Sequence, residues 1–233
     1  MKTLKVLTAF AVLIAVLNCS KITEKVGEKV EEKVNEEVKK NTEEMNKQLK
    51  QADSLMDVAN EEIDKEKKIT EALEEEKILK DPNGQWAVDA EASSSYGDAA
   101  GDQSWSPKQL TGAPNCERYG DNRNGWASKD ADKGIEWVKL TFKNPVFATE
   151  LRIRQNYNPG AIIKVELIDT DGKSHTIWSG ADKTKYEQDA IQYFVSKFDK
   201  STYKTKEVKI TLATNTVDGW NEIDAVQLIG TDK

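Results

Sequence analysis

Apolar residues recur at helical spacing through the first third of the chain. Ile and Val repeat every four residues over 22–38, and Met, Leu, Ala and Ile alternate steps of four and three over 45–63. Steps of three and four place side chains on one face of an α-helix, and their alternation is a heptad seam. A Pro-Asn-Gly stop follows at 82–84. The pattern predicts a helical stalk over residues 19–81, either single or in a coiled coil.

Residues 85–233 change to a period of two, which is typical of half-buried strands. The predicted inward positions are Val138, Leu140 and Phe142; Leu151 and Ile153; Ile163, Val165 and Leu167; and Val208, Ile210 and Leu212. The predicted turns are Lys143-Asn144-Pro145, Asn158-Pro159-Gly160, Asp171-Gly172 and Asp218-Gly219. Several short strands without a convincing helix among them predict a mainly β, antiparallel sandwich or barrel.

The last predicted strand, residues 222–229, begins with acidic side chains. Unbroken alternation would place Glu222 and Asp224 on the same face as Val226 and Leu228. Buried carboxylates without a partner are expensive. The sequence therefore predicts a metal ion, an arginine or a solvated mouth beside these acids.

Charge and aromatic residues are distributed unevenly. Residues 20–81 contain 13 Lys against 19 Asp and Glu, which accounts for most of the net charge of −7, and all six Trp and six Tyr lie after residue 85. The remainder is close to neutral, which argues against nucleic-acid binding.

The first residues have the pattern of a targeting signal. A basic start, MKTLK, precedes the apolar run VLTAFAVLIAVL, which predicts a signal peptide over residues 1–18. The sequence Val16-Leu17-Asn18-Cys19 resembles a bacterial lipobox, in which the cysteine after the cleavage point carries lipid. The alternative is ordinary secretion with Cys19 as an incidental thiol. A lipidated Cys19 would leave Cys116 alone, either buried or paired with another chain.

Catalysis is not expected. His175 is the only histidine, and alternation places it on a solvent-facing strand position. Nucleophile-elbow, phosphate-loop, zinc-protease and CxxC motifs are absent from the sequence.

Three stretches together carry a family resemblance: QLTGAPNCERYGDNRNGWASKDADKGIEWVKLTF, RIRQNYNPGAIIKVELID and ATNTVDGWNEIDAVQLIG. They resemble the discoidin-type (coagulation-factor C-type) galactose-binding-like domain, and the match covers almost all of residues 86–230. The resemblance implies an eight-stranded antiparallel jelly-roll sandwich over 85–233. Domains of this type bind sugars, phospholipid headgroups or proteins, or have no identified ligand.

The resemblance also implies a structural calcium near the chain ends. The positions that match its side-chain ligands are Asp121 and Glu222, and calcium prefers six to eight hard oxygen ligands. The alternative is that the buried acids pair with Arg152 or Arg154. Both interpretations stay open at this point.

Three aromatic residues in or near loops are candidate ligand contacts: Trp220, Tyr157 and Trp105. Aromatic rings stack on the apolar faces of sugars, but covering the end of a sandwich is the commoner role of a Trp.

These observations predict a bacterial envelope lipoprotein, held through lipid on Cys19 to a membrane that we expect to be the outer one. Its stalk would display a discoidin-like domain that binds carbohydrate or another surface ligand such as a protein. The alternative is a structural envelope protein in which the stalk forms a homo-oligomer and the head binds nothing.

Overall fold

The computed structural model describes residues 24–97 and 103–233, except for the side chains of helical residues 24–31. The chain divides into two units between Ala72 and Leu73. The predicted signal peptide and lipid site, residues 1–18 and Cys19, lie outside the described residues.

The predicted helix is present as α1, Glu24–Leu79. Among its described side chains, most of the larger apolar ones are exposed: Val38, Met45, Leu49, Leu55, Met56, Val58, Ile63, Ile69, Leu73 and Leu79. Among the described residues, no helix combines the length and apolar character that a membrane span requires. A coiled-coil partner for α1 remains a prediction.

The second unit contains one antiparallel sheet. Its strands are β1 (Gly84–Ala92), β2 (Ile135–Tyr157), β3 (Ile162–Asp169), β4 (Ser174–Ser179), β5 (Gln192–Lys197), β6 (Lys204–Ala213) and β7 (Glu222–Thr231). The order is β1-β7-β2-β6-β3-β4, and β5 pairs with β2. This confirms a mainly β, antiparallel architecture, and the path is not closed.

Strand β2 differs from the prediction of a turn at Lys143-Asn144-Pro145. The strand continues through this segment with a register shift against β6, and its first part pairs with β1 and β6 while its second part pairs with β5 and β7. Proline lacks an N–H donor and is tolerated at such an irregularity. The N–H of Asn144 donates to Gln85 Oε1 at 3.0 Å, and its carbonyl accepts from Gln85 Nε2 at 2.8 Å. The described residues contain seven strands, where the resemblance implies eight.

The predicted alternation accounts for most of the core. The inward residues that are at most 1% exposed are Val138, Leu140, Phe142, Leu151, Ile153, Val165, Leu167, Val208, Ile210 and Leu212. Ile163 is the exception, because a register shift at the start of β3 places Ile162 in the core and leaves Ile163 half-buried.

The last turns of α1 belong to the second unit and contact the outer face of β2 and β7. Gln227 Nε2 donates to the carbonyl of Ile78 at 2.8 Å, and Arg152 lies 3.0 Å from Asp81 Oδ2. The sequence pattern had assigned this end of the helix to the stalk.

Candidate functional site

A bulge sets the direction of the acidic side chains at the start of β7. Ile223 and Ala225 pair with the consecutive β2 residues 154–155, so Asp224 has no strand partner. Such an extra residue reverses the alternation. Ile223 and Val226 therefore both enter the core, and the prediction that the acids share a face with the apolar residues is wrong.

Asp224 is neutralised by an arginine. Its Oδ2 accepts a short hydrogen bond from Nη1 of Arg154. Its Oδ1 accepts from the backbone N–H of Asn115 at 3.1 Å and of Cys116 at 3.3 Å. The side chain of Asp224 is 1% exposed. The ion-pair interpretation therefore applies to this acid.

Cys116 is buried beside that ion pair and is not in a disulfide. Burial, together with the neighbouring Asp224 carboxylate, raises the pKa of the Cys116 thiol far above its usual range. A protonated, buried thiol is inert, so Cys116 is a packing residue.

Glu222 is also buried, but neutral groups hold it. Its Oε2 accepts from the backbone N–H of Asn122 at 3.0 Å and from Nδ2 of Asn156 at 2.6 Å. Burial raises the pKa of Glu222 to about 8, the two hydrogen bonds oppose the rise, and the nearby Asp121 carboxylate adds to it. Within the described part of the chain, Glu222 has no ion pair with Arg152 or Arg154.

Gly125 allows Asn156 to reach this position. A Cβ at Gly125 would lie only 2.7 Å from Asn156 Oδ1. The Nδ2 of Asn156 also donates to the carbonyl of Gly120 at 3.3 Å, and its Oδ1 is buried without a hydrogen-bond partner. The glycine directly before Trp126 thus makes room for the amide that orients Glu222.

Glu222 lies in a cleft with three aromatic rings. The lining residues are Tyr96, Trp105, Asp121, Ala127, Trp220 and Glu222, around about 340 Å³ of space that includes open solvent. The Tyr96 ring packs edge to face against Trp105 at 5.4 Å and against Trp220 at 5.7 Å between centroids. Tyr96 is 40% exposed and Trp220 is 37% exposed. Such accessible aromatic clusters mark interaction sites more often than cores.

Hydrogen bonds fix the indole rings. Trp105 Nε1 donates to Asp121 Oδ1 at 2.8 Å, and Trp220 Nε1 donates to the carbonyl of Ser128 at 3.1 Å. The cleft is therefore organised before any ligand arrives.

The backbone at Trp105 is strained. Its φ of 50° lies in the left-handed region, where a bulky side chain is an outlier. The N–H of Trp105 donates to Arg123 O at 3.0 Å, and its carbonyl accepts from Ser95 Oγ at 3.1 Å. Strain of about 1–3 kcal/mol persists where the surroundings enforce it, and such positions cluster at ligand sites.

The structure brings together four of the five residues predicted to contact a ligand or a metal: Trp105, Trp220, Asp121 and Glu222. Tyr157 is not among the lining residues and packs edge to face on Tyr119 at 5.5 Å. Sequence reasoning missed Tyr96, whose only signal was an aromatic residue in the polar loop Ser93-Ser94-Ser95-Tyr96-Gly97.

His175 differs from its predicted solvent-facing position. It stacks on Tyr203 at 3.8 Å between centroids, and its Nε2 lies 2.7 Å from Asp169 Oδ2. This contact and backbone hydrogen bonds lower the pKa of the Asp169 carboxyl. His175 therefore braces the β3–β4 turn.

The donor set fits a calcium ion in part. The carboxyl groups of Asp121 and Glu222 are neighbours and could supply hard oxygen ligands. Among the residues that the structure describes, no group of three or more His, Cys, Asp and Glu side chains is arranged for a metal. Backbone carbonyls and water would have to complete a calcium shell at this pair.

The family model described as Pappalysin-1, SD scarf domain, C-terminal, matches residues 77–233. The match covers more than half of the chain, and the chain belongs to this family. A search of curated proteins found no match.

Several solved structures are similar at low identity. The family 32 carbohydrate-binding module of C. perfringens NanJ, in complex with galactose, is 18% identical over 62% of this chain and 98% of that one, with a TM-score of 0.43. A chitosan-binding module from a Paenibacillus chitosanase/glucanase is 12% identical over 62% and 97%, with a TM-score of 0.44. A Ruminococcus gnavus GH29 fucosidase in complex with fucose is 14% identical over 66% of this chain, with a TM-score of 0.43, and the match spans only 26% of the fucosidase chain.

Proposed function

We propose that the second unit is a carbohydrate-binding module whose ligand lies in the cleft of Tyr96, Trp105 and Trp220. The observation that carries the proposal is three partly exposed rings, two of them fixed through their indole N–H groups, around two carboxylates. A sugar presents apolar C–H faces to aromatic rings and hydroxyl donors to carboxylates. The module is proposed to bind its ligand without cleaving it.

Pre-organisation favours binding at this cleft. The indole rings are already held by Asp121 and Ser128, so a ligand orders few side chains as it binds. Aromatic anchors in such positions account for most of the binding energy at recognition sites.

Trp220→Ala is expected to weaken glycan binding at least about tenfold, which corresponds to roughly 1.4 kcal/mol, because it removes an exposed stacking surface. A glycan array identifies the ligand, and titration of the full chain measures the loss. Tyr157→Ala is the matched control, since Tyr157 is outside the cleft lining. Undiminished affinity in Trp220→Ala would refute the assignment of the site.

We also propose that lipid on Cys19 holds the protein in a bacterial envelope. The support is the lipobox-like sequence directly before the helical stalk. A palmitate analogue should label the wild type, and Cys19→Ala should lose the label because the acylated thiol is gone. Equal labelling of both proteins would rule out the anchor.

A second candidate function is assembly through the stalk. The exposed apolar residues of α1 favour it, because a row such as Met45, Met56 and Ile63 suits a heptad contact with another helix. A chain that binds no glycan and yet forms a stable oligomer through residues 20–81 in sedimentation would favour this candidate over the first.

A further inference from the structure

The two buried acids at the start of β7, Glu222 and Asp224, differ in the charge of their partners. Asp224 has the guanidinium of Arg154 as its counter-charge. Glu222, two residues earlier, accepts hydrogen bonds only from neutral donors among its described partners, Asn122 and Asn156. The fold thus neutralises the acid that faces away from the cleft and leaves the one in the cleft without a cation.

Among the described residues that line the cleft, none is positively charged. They include the acids Asp121 and Glu222 and no Lys, Arg or His. Trp105 donates to Oδ1 of Asp121, again a neutral donor. The two acids therefore form a negative site. In the free protein, burial and the neighbouring Asp121 favour a proton on Glu222, and a cationic ligand would take the place of that proton.

Asn156 indicates that the orientation of Glu222 is maintained at a cost. The Asn156 side chain directs its amide hydrogens toward Glu222 Oε2 and the carbonyl of Gly120, and its own buried Oδ1 has no hydrogen-bond partner. Leaving a buried polar atom unsatisfied is unfavourable. Both hydrogen bonds to Glu222 end on Oε2, so they anchor that oxygen.

The aromatic walls favour the same kind of ligand. A cation near the face of a Trp or Tyr ring is attracted by the ring quadrupole, most strongly for Trp. Trp105, Trp220 and Tyr96 surround the carboxylates on the lining of one cleft. Rings and acids together match a group that is both positively charged and attached to an apolar frame.

We infer that the ligand of this cleft is an amino sugar, with its ring on the aromatic residues and its ammonium group at Asp121 and Glu222. This inference rests on the proposed carbohydrate-binding function and specifies its substrate class. A neutral sugar would leave Asp121 without a counter-charge, whereas an ammonium group offsets Asp121, favours release of the Glu222 proton, and donates up to three hydrogen bonds to the pair.

The test is calorimetric titration of the full chain with glucosamine, N-acetylglucosamine and glucose at about pH 7, with EGTA present. Glucosamine should bind at least about tenfold more tightly than N-acetylglucosamine, whose nitrogen is an uncharged amide. Asp121→Asn keeps an acceptor for Trp105 Nε1 and removes one charge, and it should reduce this preference severalfold. Asp132→Asn is the control: Asp132 accepts from the N–H of Gly219 at 2.9 Å and is not a lining residue, so the preference should persist.

Each outcome separates this inference from the proposed function. Equal affinity for the three sugars overturns the ammonium preference and leaves carbohydrate binding in place. If the protein binds tetramethylammonium but none of the three sugars, carbohydrate binding is overturned and the cleft is a cation site of another kind. Binding of calcium, in buffer without EGTA, with no response to glucosamine overturns the inference and assigns the carboxylates to the metal.

Discussion

Replacing Arg154 with leucine is expected to destabilise the sheet domain by about 3–5 kcal/mol, the range for removing one partner of a buried ion pair. The Asp224 side chain is 1% exposed and Arg154 is its only described cation, so the variant leaves a carboxylate buried without compensation. The carbonyl of Cys116 also loses a donor at 2.9 Å. Urea unfolding of the full chain, followed by Trp fluorescence, measures the change, since every Trp lies after residue 85.

Two further variants identify the cause. Adding Asp224→Asn to Arg154→Leu should recover much of the loss, because the amide is neutral and its oxygen still accepts from Asn115 and Cys116. Arg152→Leu is the matched single control; its acidic partners Asp81 and Glu150 have more contact with solvent, so a smaller loss is expected. If the double variant were as unstable as Arg154→Leu alone, packing of the arginine stem would be responsible and the charge argument would fail.

The buried positions of the strands could be predicted from the sequence, because a strand that is buried on one face alternates apolar and polar residues. The bulge at Asp224 could not be predicted, because it depends on the register in which β7 pairs with β2. The sequence of one strand does not determine that register. Unbroken alternation therefore gave the wrong face for Glu222 and Asp224.

The site shows the same division. The resemblance had already paired Asp121 with Glu222 as metal ligands. Trp105 and Trp220 were identified only as separate candidates, and nothing in the sequence indicated that they line the same cleft as the acids. The choice between a metal and an arginine was posed for both acids together, and the structure separates them. Asp224 has the arginine, and Glu222 lies among aromatic rings without one.

The continuity of β2 was missed for a related reason. Lys143-Asn144-Pro145 has the composition of a turn, and local composition favours one. The side chain of Gln85, 59 residues away, supplies both hydrogen-bond partners to the backbone of Asn144. A contact so distant in sequence leaves no local pattern.

The stability of the metal-free protein is expected to fall as the pH rises from about 4.5 to 8. Glu222 has a folded-state pKa of about 8 against an ordinary value of 4.5. Between these values the folded state holds a proton that the unfolded state has released, so each pH unit lowers the free energy of unfolding by up to about 1.4 kcal/mol. Over the whole window the contribution of Glu222 is on the order of 4 kcal/mol. Urea unfolding in EGTA at several pH values measures it.

Glu222→Gln is the variant that isolates this effect, and it is expected to be more stable than the wild type at pH near 8 in EGTA. The glutamine oxygen still accepts from Asn122 and Asn156, and its amide donates toward Asp121 where the wild type has two facing carboxylates. At a pH below about 4.5 the two proteins should be equally stable, because Glu222 is then protonated in both the folded and the unfolded state.

Calcium should narrow this difference in stability if Asp121 and Glu222 hold it. A metal that binds only the folded chain stabilises it by about 2.7 kcal/mol at a hundredfold excess over Kd. The wild type should gain this stability at a pH near 8 and Glu222→Gln should gain little, because the variant has lost one of the two carboxylates. If calcium does not change the stability of the wild type while its stability follows the predicted pH dependence, the metal interpretation fails and an organic cation remains the proposed partner of the two acids. A wild type that follows neither would show that Glu222 is solvated and ionised in the folded protein, contrary to its burial and its neutral partners.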